Sequence, residues 1–251
     1  SRCDYIETYN LEHVSETFDF AKKNNKLITL RGGGRSYGDN TINKNNIVLK
    51  YRPKKNILSF NELEGEIIVS GACTLIELLK FTIPKGWLFN VSPGSQTVTI
   101  SGAISNNVHG KNCIHKGYFG DYVNEMDVYT PDQGLVNCSR NKNSDLFHAV
   151  ISGLGVFGII INARIKLRKV KSILVNTTTS YVKNLEDAVL KIENLNKNYE
   201  FNIGSLNFTR FSNFKNDGKI FSSNFSEEVS LNEENNEANF IIYLINYCLM
   251  F

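Results

Sequence analysis

The chain has 251 residues, 41% hydrophobic and 21% charged; these values exclude disordered, collagen-like and coiled-coil readings, and the length admits one large or two unequal folded units. Its 28 Lys and Arg against 25 Asp and Glu give a formal charge of +3, too weak and scattered for a nucleic-acid footprint yet compatible with an anionic small molecule. Five cysteines, odd in number and far apart, read as free thiols of a reducing compartment rather than a disulfide framework.

In chain order, SRCDYIETYN carries no apolar h-region, so no signal peptide is predicted. Leu11, Val14, Phe18 and Ala21 are spaced 3, 4 and 3, which predicts an amphipathic helix ending at Asn24 and Asn25. KLITL (26–30) reads as a buried strand, and NIVLKY (46–51), ILSFNEL (57–63) and EIIVSGA (66–72) as three more. TLIELLKFTIP (74–84) predicts a helix stopped by Pro84, and residues 86–110 a glycine-punctuated loop with short strand pieces. Residues 122–138 read as a hairpin around Pro-Asp-Gln-Gly. SDLFHAV (144–150) follows as a short helix N-capped by Ser144, and residues 157–170 as an alternating, half-buried strand. Beyond about residue 171 Asn and Lys rise and glycine falls, placing a domain boundary near 170, and residues 184–196 read as a helix. EENNEAN (233–239) reads as a polar loop. The apolar run 239–251 holds two asparagines and is shorter than the ~20 residues of a membrane span, so it reads as a core strand or helix.

GLGVFG (153–158) matches G-x-G-x-x-G, but a helix precedes it and a strand follows, the reverse of a dinucleotide fingerprint, and Thr177 to Thr179 stand where an acidic ribose ligand is expected. It is better described as a helix-to-strand turn. His109, Cys113 and His115 lack a fourth ligand and paired spacing, so no metal site is predicted. His109, among Gly102, Gly110 and Lys111, is as consistent with a functional histidine as with one bonded to backbone. RGGGRSYGDN (31–40) lacks the Gly-Lys-Ser/Thr ending of a Walker loop. Its glycines allow close backbone approach and an anion-binding nest of N–H groups, with charge from Arg31 and Arg35, although a plain tight turn has the same composition. Two more glycine-rich segments, 92–112 and 152–160, follow in the same domain. Three such approaches imply one long ligand touched at several points, and a dinucleotide has that size.

The succession RGGGRSYGDN, SPGSQTVTISGAISNNVHGKN, YFGDYV and LFHAVISGLGVFGII resembles the PCMH-type FAD-binding domain of the vanillyl-alcohol-oxidase superfamily, and within it is most similar to the decaprenylphosphoryl-β-D-ribose oxidases. The resemblance covers roughly residues 11 to 170. It implies an α+β fold with an FAD-binding domain of two α/β subdomains over 1–170. The opening part of an α+β substrate domain would follow over 171–251. It implies further that Gly32, Gly33, Gly34, Arg35, Ser36 and Tyr37 cradle the FAD diphosphate, with Asn40 nearby. Pro93, Gly94, Ser95, Val98, Thr99, Gly102, Ala103 and Asn106 would run along the flavin and ribityl portion. His109, Gly110 and Lys111 would stand beside the isoalloxazine, where substrate enters, with His109 and Gly110 contacting the cofactor, and Gly155, Gly158 and Ile159 would close over the adenine side.

The catalytic candidates implied are His109, to orient substrate or shuttle a proton, and Lys111, to stabilise charge on reduced flavin or bind a substrate phosphate. Covalent relatives tether the flavin through a histidine in the first loop or a cysteine before the second glycine turn. Arg35 occupies the first position and residues 92–102 hold no cysteine, so noncovalent FAD is expected. Asn106 and Asn107 replace the Cys and Asp associated with the most similar branch, and the substrate-domain lysine and tyrosine of the family fall outside these residues. The activity implied is oxidation of a secondary alcohol on a sugar, carried as a polyprenyl phosphate, with an NAD(P)H-dependent reductase as partner in an epimerisation of cell-wall polysaccharide synthesis. The expected location is cytoplasmic or peripheral to the membrane. The rival readings are an aldonolactone or alditol oxidase using oxygen, and a noncatalytic flavin-binding module.

Overall fold

A computed structural model describes residues 2–172, 174–206 and 218–227. The expected loop at 233–239, the apolar run 239–251 and Cys248 lie outside the described residues. In chain order the elements are β1 (Asp4–Thr8), α1 (Leu11–Lys23), β2 (Ile28–Leu30), β3 (Ile47–Tyr51), β4 (Ile57–Asn61), β5 (Glu66–Ser70), α2 (Leu75–Thr82), β6 (Trp87–Phe89), α3 (Ile100–Ser105), α4 (Cys113–Lys116), β7 (Val123–Thr130), β8 (Gly134–Ser139), α5 (Ser144–Val150), β9 (Ile159–Lys169), β10 (Val175–Val182), α6 (Leu185–Leu195), β11 (Phe201–Ser205) and β12 (Gly218–Phe225). This mixture of helices with parallel and antiparallel sheet is the expected α+β class.

Two compact units divide the chain. The first gathers the described residues up to Phe81, Ser95–Val108 and Phe119–Arg168. It holds a parallel sheet in the order β1-β3-β2 and an antiparallel path β4-β5-β9-β7-β8. Helix α1 joins them. Asn10 caps it by accepting from the His13 N–H at 2.9 Å, and its apolar face is two-sided. Val14 packs on Ile159 and Ile161 of β9, while Ala21 packs on Ile47 and Leu49 of β3, with Phe18 touching both groups. The alternation foreseen for β9 is real, its residues passing from fully buried to alternately buried after Ile161.

The second unit gathers Thr82–Gly94, His109–Tyr118 and the described residues from Lys169 on. Its antiparallel sheet runs β10-β12-β11, and α6 covers it through Ala188, packed with Val182 and Ile220.

Three local expectations are corrected. Residues 100–105 form a helix rather than loop: Thr99, extended at φ −79°, accepts from the Gly102 N–H and caps α3, and Ile100, Ala103 and Ile104 give it a buried face. Ser144 is the first helical residue of α5, not its cap; Asn143, at φ 47°, precedes it without a side-chain capping bond. The helix expected over 74–84 is shorter: α2 ends at Thr82, two residues before Pro84, which lies in a following 3-10 turn, Ile83–Lys85, closed by left-handed Gly86.

Candidate functional site

The first unit contains a cavity of about 520 Å³, within the range of small-molecule sites. Strand ends contribute to its lining: Leu30 of β2, Leu49 to Tyr51 of β3, and Ile159 and Ile160 of β9. Arg31 extends the β2–β3 pairing by donating its N–H to the Leu49 carbonyl at 2.9 Å, and after it the chain leaves the ladder.

The glycine run then lies against the second loop. A Cβ on Gly32 would collide with Thr99 Oγ1, and one on Gly33 with the Thr97 carbonyl oxygen. Gly34 adopts φ +64°, a conformation costly for residues with a side chain. The bare backbone positions therefore serve two ends at once, a close approach of residues 32–33 to 97–99 and a left-handed turn. No described residue accepts a hydrogen bond from the backbone N–H groups of residues 32 to 37. By contrast, the amides at the start of α3 are used internally: Ile100 N–H donates to Cys73 O and Ser101 N–H to Gly71 O, both at 2.8 Å, and Gly102 N–H to Thr99 Oγ1. Among the described residues, backbone donors without acceptors thus lie in the 32–37 loop, whereas those at the start of α3 are used.

Of the residues expected to bind cofactor, Gly32 through Tyr37, Asn40, Val98, Thr99, Gly102, Asn106, Gly155, Gly158 and Ile159 line this cavity. Gly155 packs on the Leu30 side chain at φ +81°. A Cβ at Gly158 would meet the Tyr129 carbonyl oxygen at 2.6 Å. Ser95 and Ala103 belong to the same unit but not to the lining; Ser95 Oγ shares a 3.1 Å hydrogen bond with Thr97 Oγ1, and Ala103 is buried in α3.

Residues not singled out as cofactor contacts also line it: Arg31, Lys50, Arg52, Asn56, Thr74 and Glu77. The last three form a network. Thr74 and Glu77 make a capping box on α2: Glu77 Oε2 accepts from the Thr74 N–H at 2.8 Å and its hydroxyl at 2.6 Å, and Thr74 Oγ1 accepts from the Glu77 N–H at 3.3 Å. Glu77 Oε1 accepts from Asn56 Nδ2 at 3.0 Å, which fixes the amide orientation and leaves Asn56 Oδ1 buried without a hydrogen-bond partner among the described residues. Burial pushes the Glu77 carboxyl upward, but the bonds from Thr74 and Asn56 outweigh it and hold the group below the ordinary carboxylate range. The T-x-x-E signature at 74–77 was visible in the sequence; the reach of Asn56 to it was not.

Pro93, Gly94, His109, Gly110 and Lys111 lie in the second unit. His109 is exposed and bridges to Tyr118, and a Cβ on Gly110 would stand 2.6 Å from the Ser92 nitrogen. The Lys111 backbone is held from both sides, donating to Ser92 O at 3.3 Å and accepting from the Asn202 N–H at 3.2 Å. Beside it Asn112 is 1% exposed; its Oδ1 accepts from the Ser92 N–H and its Nδ2 donates to Asn90 O and Glu200 Oε1. Asn112 organises the segment carrying both catalytic candidates, and no local pattern distinguished it.

Consecutive unpaired amides, four cationic side chains (Arg31, Arg35, Lys50 and Arg52) and one carboxylate around a cavity fit the diphosphate of a dinucleotide. Fold and site thus fit an α+β protein of the nucleotide-binding class. Residues 5–139 match the FAD binding domain family, and the chain belongs to it. It is 34% identical over 148 residues to decaprenylphosphoryl-beta-D-ribose oxidase of Mycolicibacterium smegmatis, covering 59% of this chain and 32% of that protein. It is 30% identical over 161 residues to cytokinin dehydrogenase 9 of Oryza sativa, covering 61% and 30%. Against cytokinin dehydrogenase 3 of Arabidopsis thaliana it is 34% identical over 147 residues, covering 56% and 27%. The matched region spans about a third or less of the length of each of these relatives. Among the described residues no helix is long and apolar enough to cross a membrane.

Proposed function

We propose that this chain is the FAD-binding part of an FAD-dependent oxidoreductase acting on CH–OH groups, with noncovalently held FAD and a secondary alcohol of a polyprenyl-phosphate-linked sugar as substrate. The observation that carries the reading is the run of six backbone N–H groups, Gly32 to Tyr37, left without acceptors among the described residues in a cavity lined by cations. Bound FAD would supply the hydride acceptor. The chain's own residues do the rest. The 32–37 loop holds the diphosphate, Gly155, Gly158 and Ile159 border the nucleotide, and Pro93, Gly94, Ser95, Val98, Thr99, Gly102, Ala103 and Asn106 follow the flavin. Lys111 supplies positive charge and His109 holds or passes a proton on the substrate side. Residues 1–170 then constitute the FAD-binding domain and 171–251 the opening of the substrate domain.

Support for the substrate comes from the mycobacterial oxidase, whose name specifies a decaprenylphosphoryl ribose. The cytokinin dehydrogenases match through much the same share of the chain under a different substrate name, so the matched stretch carries the common, cofactor-binding half. An NAD(P)H-dependent reductase completes an epimerisation under this reading, and the protein works in the cytoplasm or at the membrane surface.

The test is anaerobic flavin bleaching by a panel of polyprenyl-phosphate sugars, free sugars, aldonolactones and alditols, followed by oxygen-consumption and dye-reduction assays. The protein that contains this chain should be bleached by the lipid-linked sugar and reoxidised by dye. Bleaching by a free aldonolactone with rapid oxygen uptake would replace this reading with that of an oxygen-using oxidase.

A further inference from the structure

Four cationic side chains line the cavity, but they are not equivalent. Lys50 and Arg52 flank Glu7, which faces Lys50 in register across the parallel β1–β3 pair. Lys50 Nζ lies 4.0 Å from Glu7 Oε1, and Arg52 Nη1 lies 3.7 Å from Oε2. The Tyr5 hydroxyl donates to Oε1 at 3.0 Å and the Tyr9 hydroxyl to Oε2 at 3.4 Å. These bonds, Tyr5 first, hold the carboxyl below its ordinary range, so Glu7 is an anion at neutral pH. Glu7 itself is not part of the cavity lining. It stands behind two of the lining cations as a shared counter-charge.

Arg31 is placed differently. Its backbone is fixed by the bond to Leu49 O, and its guanidinium lies over the glycine turn: a Cβ on Gly34 would stand 2.8 Å from Nη2 and 3.1 Å from Nε. No described residue accepts a hydrogen bond from that guanidinium or forms an ion pair with it, although its charge acts on the Tyr5 hydroxyl. A planar fork of donors is thus laid against the middle of the run of unpaired amides, the geometry in which bidentate phosphate recognition is strongest. Arg35, the other arginine of the loop, is exposed like Arg31 and also unpaired among the described residues.

Resting on the reading of this cavity as a nucleotide diphosphate site, we infer that Arg31 is the side chain that recognises the diphosphate, and that Glu7 attenuates the site by neutralising Lys50 and Arg52. Removing an acid that does not border the cavity should therefore tighten binding. An ion pair shared at partly exposed positions is modest in strength, so Glu7→Gln should bind FAD and ADP about two- to fivefold more tightly at low salt. The gain should fade as salt screens it. Arg31→Gln, which removes charge-assisted bonds, should weaken both ligands roughly tenfold or more. Riboflavin has no phosphate, so its affinity should not respond to either substitution.

The experiment is fluorescence titration of the full chain with FAD, ADP and riboflavin at low and high salt. The proteins compared are wild type, E7Q, R31Q, R31K, K50Q and the E7Q/K50Q pair. The inference expects R31K to recover part of the R31Q loss, and K50Q to cost little in wild type but to cancel part of the E7Q gain. It is overturned if E7Q binds ADP no more tightly than wild type, if K50Q weakens ADP as much as R31Q, or if R31Q weakens riboflavin as much as FAD. Wild-type chain that binds neither FAD nor ADP would overturn the proposed function itself, a result distinguishable from any of these.

Discussion

Gly33→Ala separates two roles that the glycine run could have. If the bare backbone serves only ligand approach, a methyl group there affects FAD and nothing else. The structure assigns it a role in the protein without FAD too, because the new Cβ would overlap the Thr97 carbonyl oxygen and press the Thr97 carbonyl carbon at 3.3 Å, with Val98 Cα in ordinary contact at 3.5 Å. All three are backbone atoms, held in place by Leu75 N–H to Val98 O at 3.0 Å and Ile76 N–H to Gln96 O at 2.9 Å, so relief requires moving one loop off the other. Overpacking of this kind costs about 1 to 3 kcal/mol, or roughly 2 to 12 °C in Tm for a chain of this size. Gly33 has no left-handed φ, so the whole cost is steric. Gly38→Ala is the control: it has open space around it but φ +68°, and it lies outside the cavity lining. It should lose about 1 kcal/mol from backbone strain with FAD affinity unchanged. Thermal unfolding without and with FAD, together with FAD titration, measures both. A Gly33→Ala protein as stable as wild type without FAD would refute the loop-to-loop argument, whatever happened to its flavin.

Other outcomes follow from the same geometry. Thr99→Ala removes the α3 cap and should cost about 1 kcal/mol by denaturant unfolding, with loosening of the 97–102 segment in hydrogen exchange. Asn112→Ala removes the side-chain acceptor of the Ser92 N–H and the donor to Glu200 Oε1 and should destabilise the second unit by about 2 to 4 kcal/mol, read by hydrogen exchange at Ser92, Lys111 and Asn202. The folded-state pKa of Glu77 is depressed below its unfolded value of about 4.3. Its contribution to stability is present above that value and is lost as pH falls through the depressed one. Glu77→Gln should therefore lower stability at neutral pH and flatten the acid limb of a Tm-versus-pH curve.

What could be read from the sequence divides by the range of the interaction responsible. Helix α1 was written in the spacing of Leu11, Val14, Phe18 and Ala21, and β9 in its alternation, because both need only neighbours in the chain. The anion-binding loop was legible as composition, but the reason for Gly32 and Gly33 was not, since it depends on Thr97 and Thr99 some 65 residues away. Helix α3 was missed although Ile100, Ala103 and Ile104 have helical spacing, because Gly102 and the β-branched residues before it argue for irregular chain. Asn56 and Glu7 gave no signal. Each acts through a partner brought in by tertiary packing, Glu77 in α2 and Lys50 across the sheet. Asn112 is joined to Glu200 across 88 residues, a link no local pattern carries.

The central claim is that unpaired amides in residues 32–37 hold FAD without a covalent bond. The visible absorbance spectrum of the purified protein, before and after acid precipitation, tests it most directly. A flavin spectrum, native or after added FAD, with the colour released to the supernatant by acid, is the predicted result. A protein that stays colourless in excess FAD, or one whose flavin remains in the pellet, would contradict it.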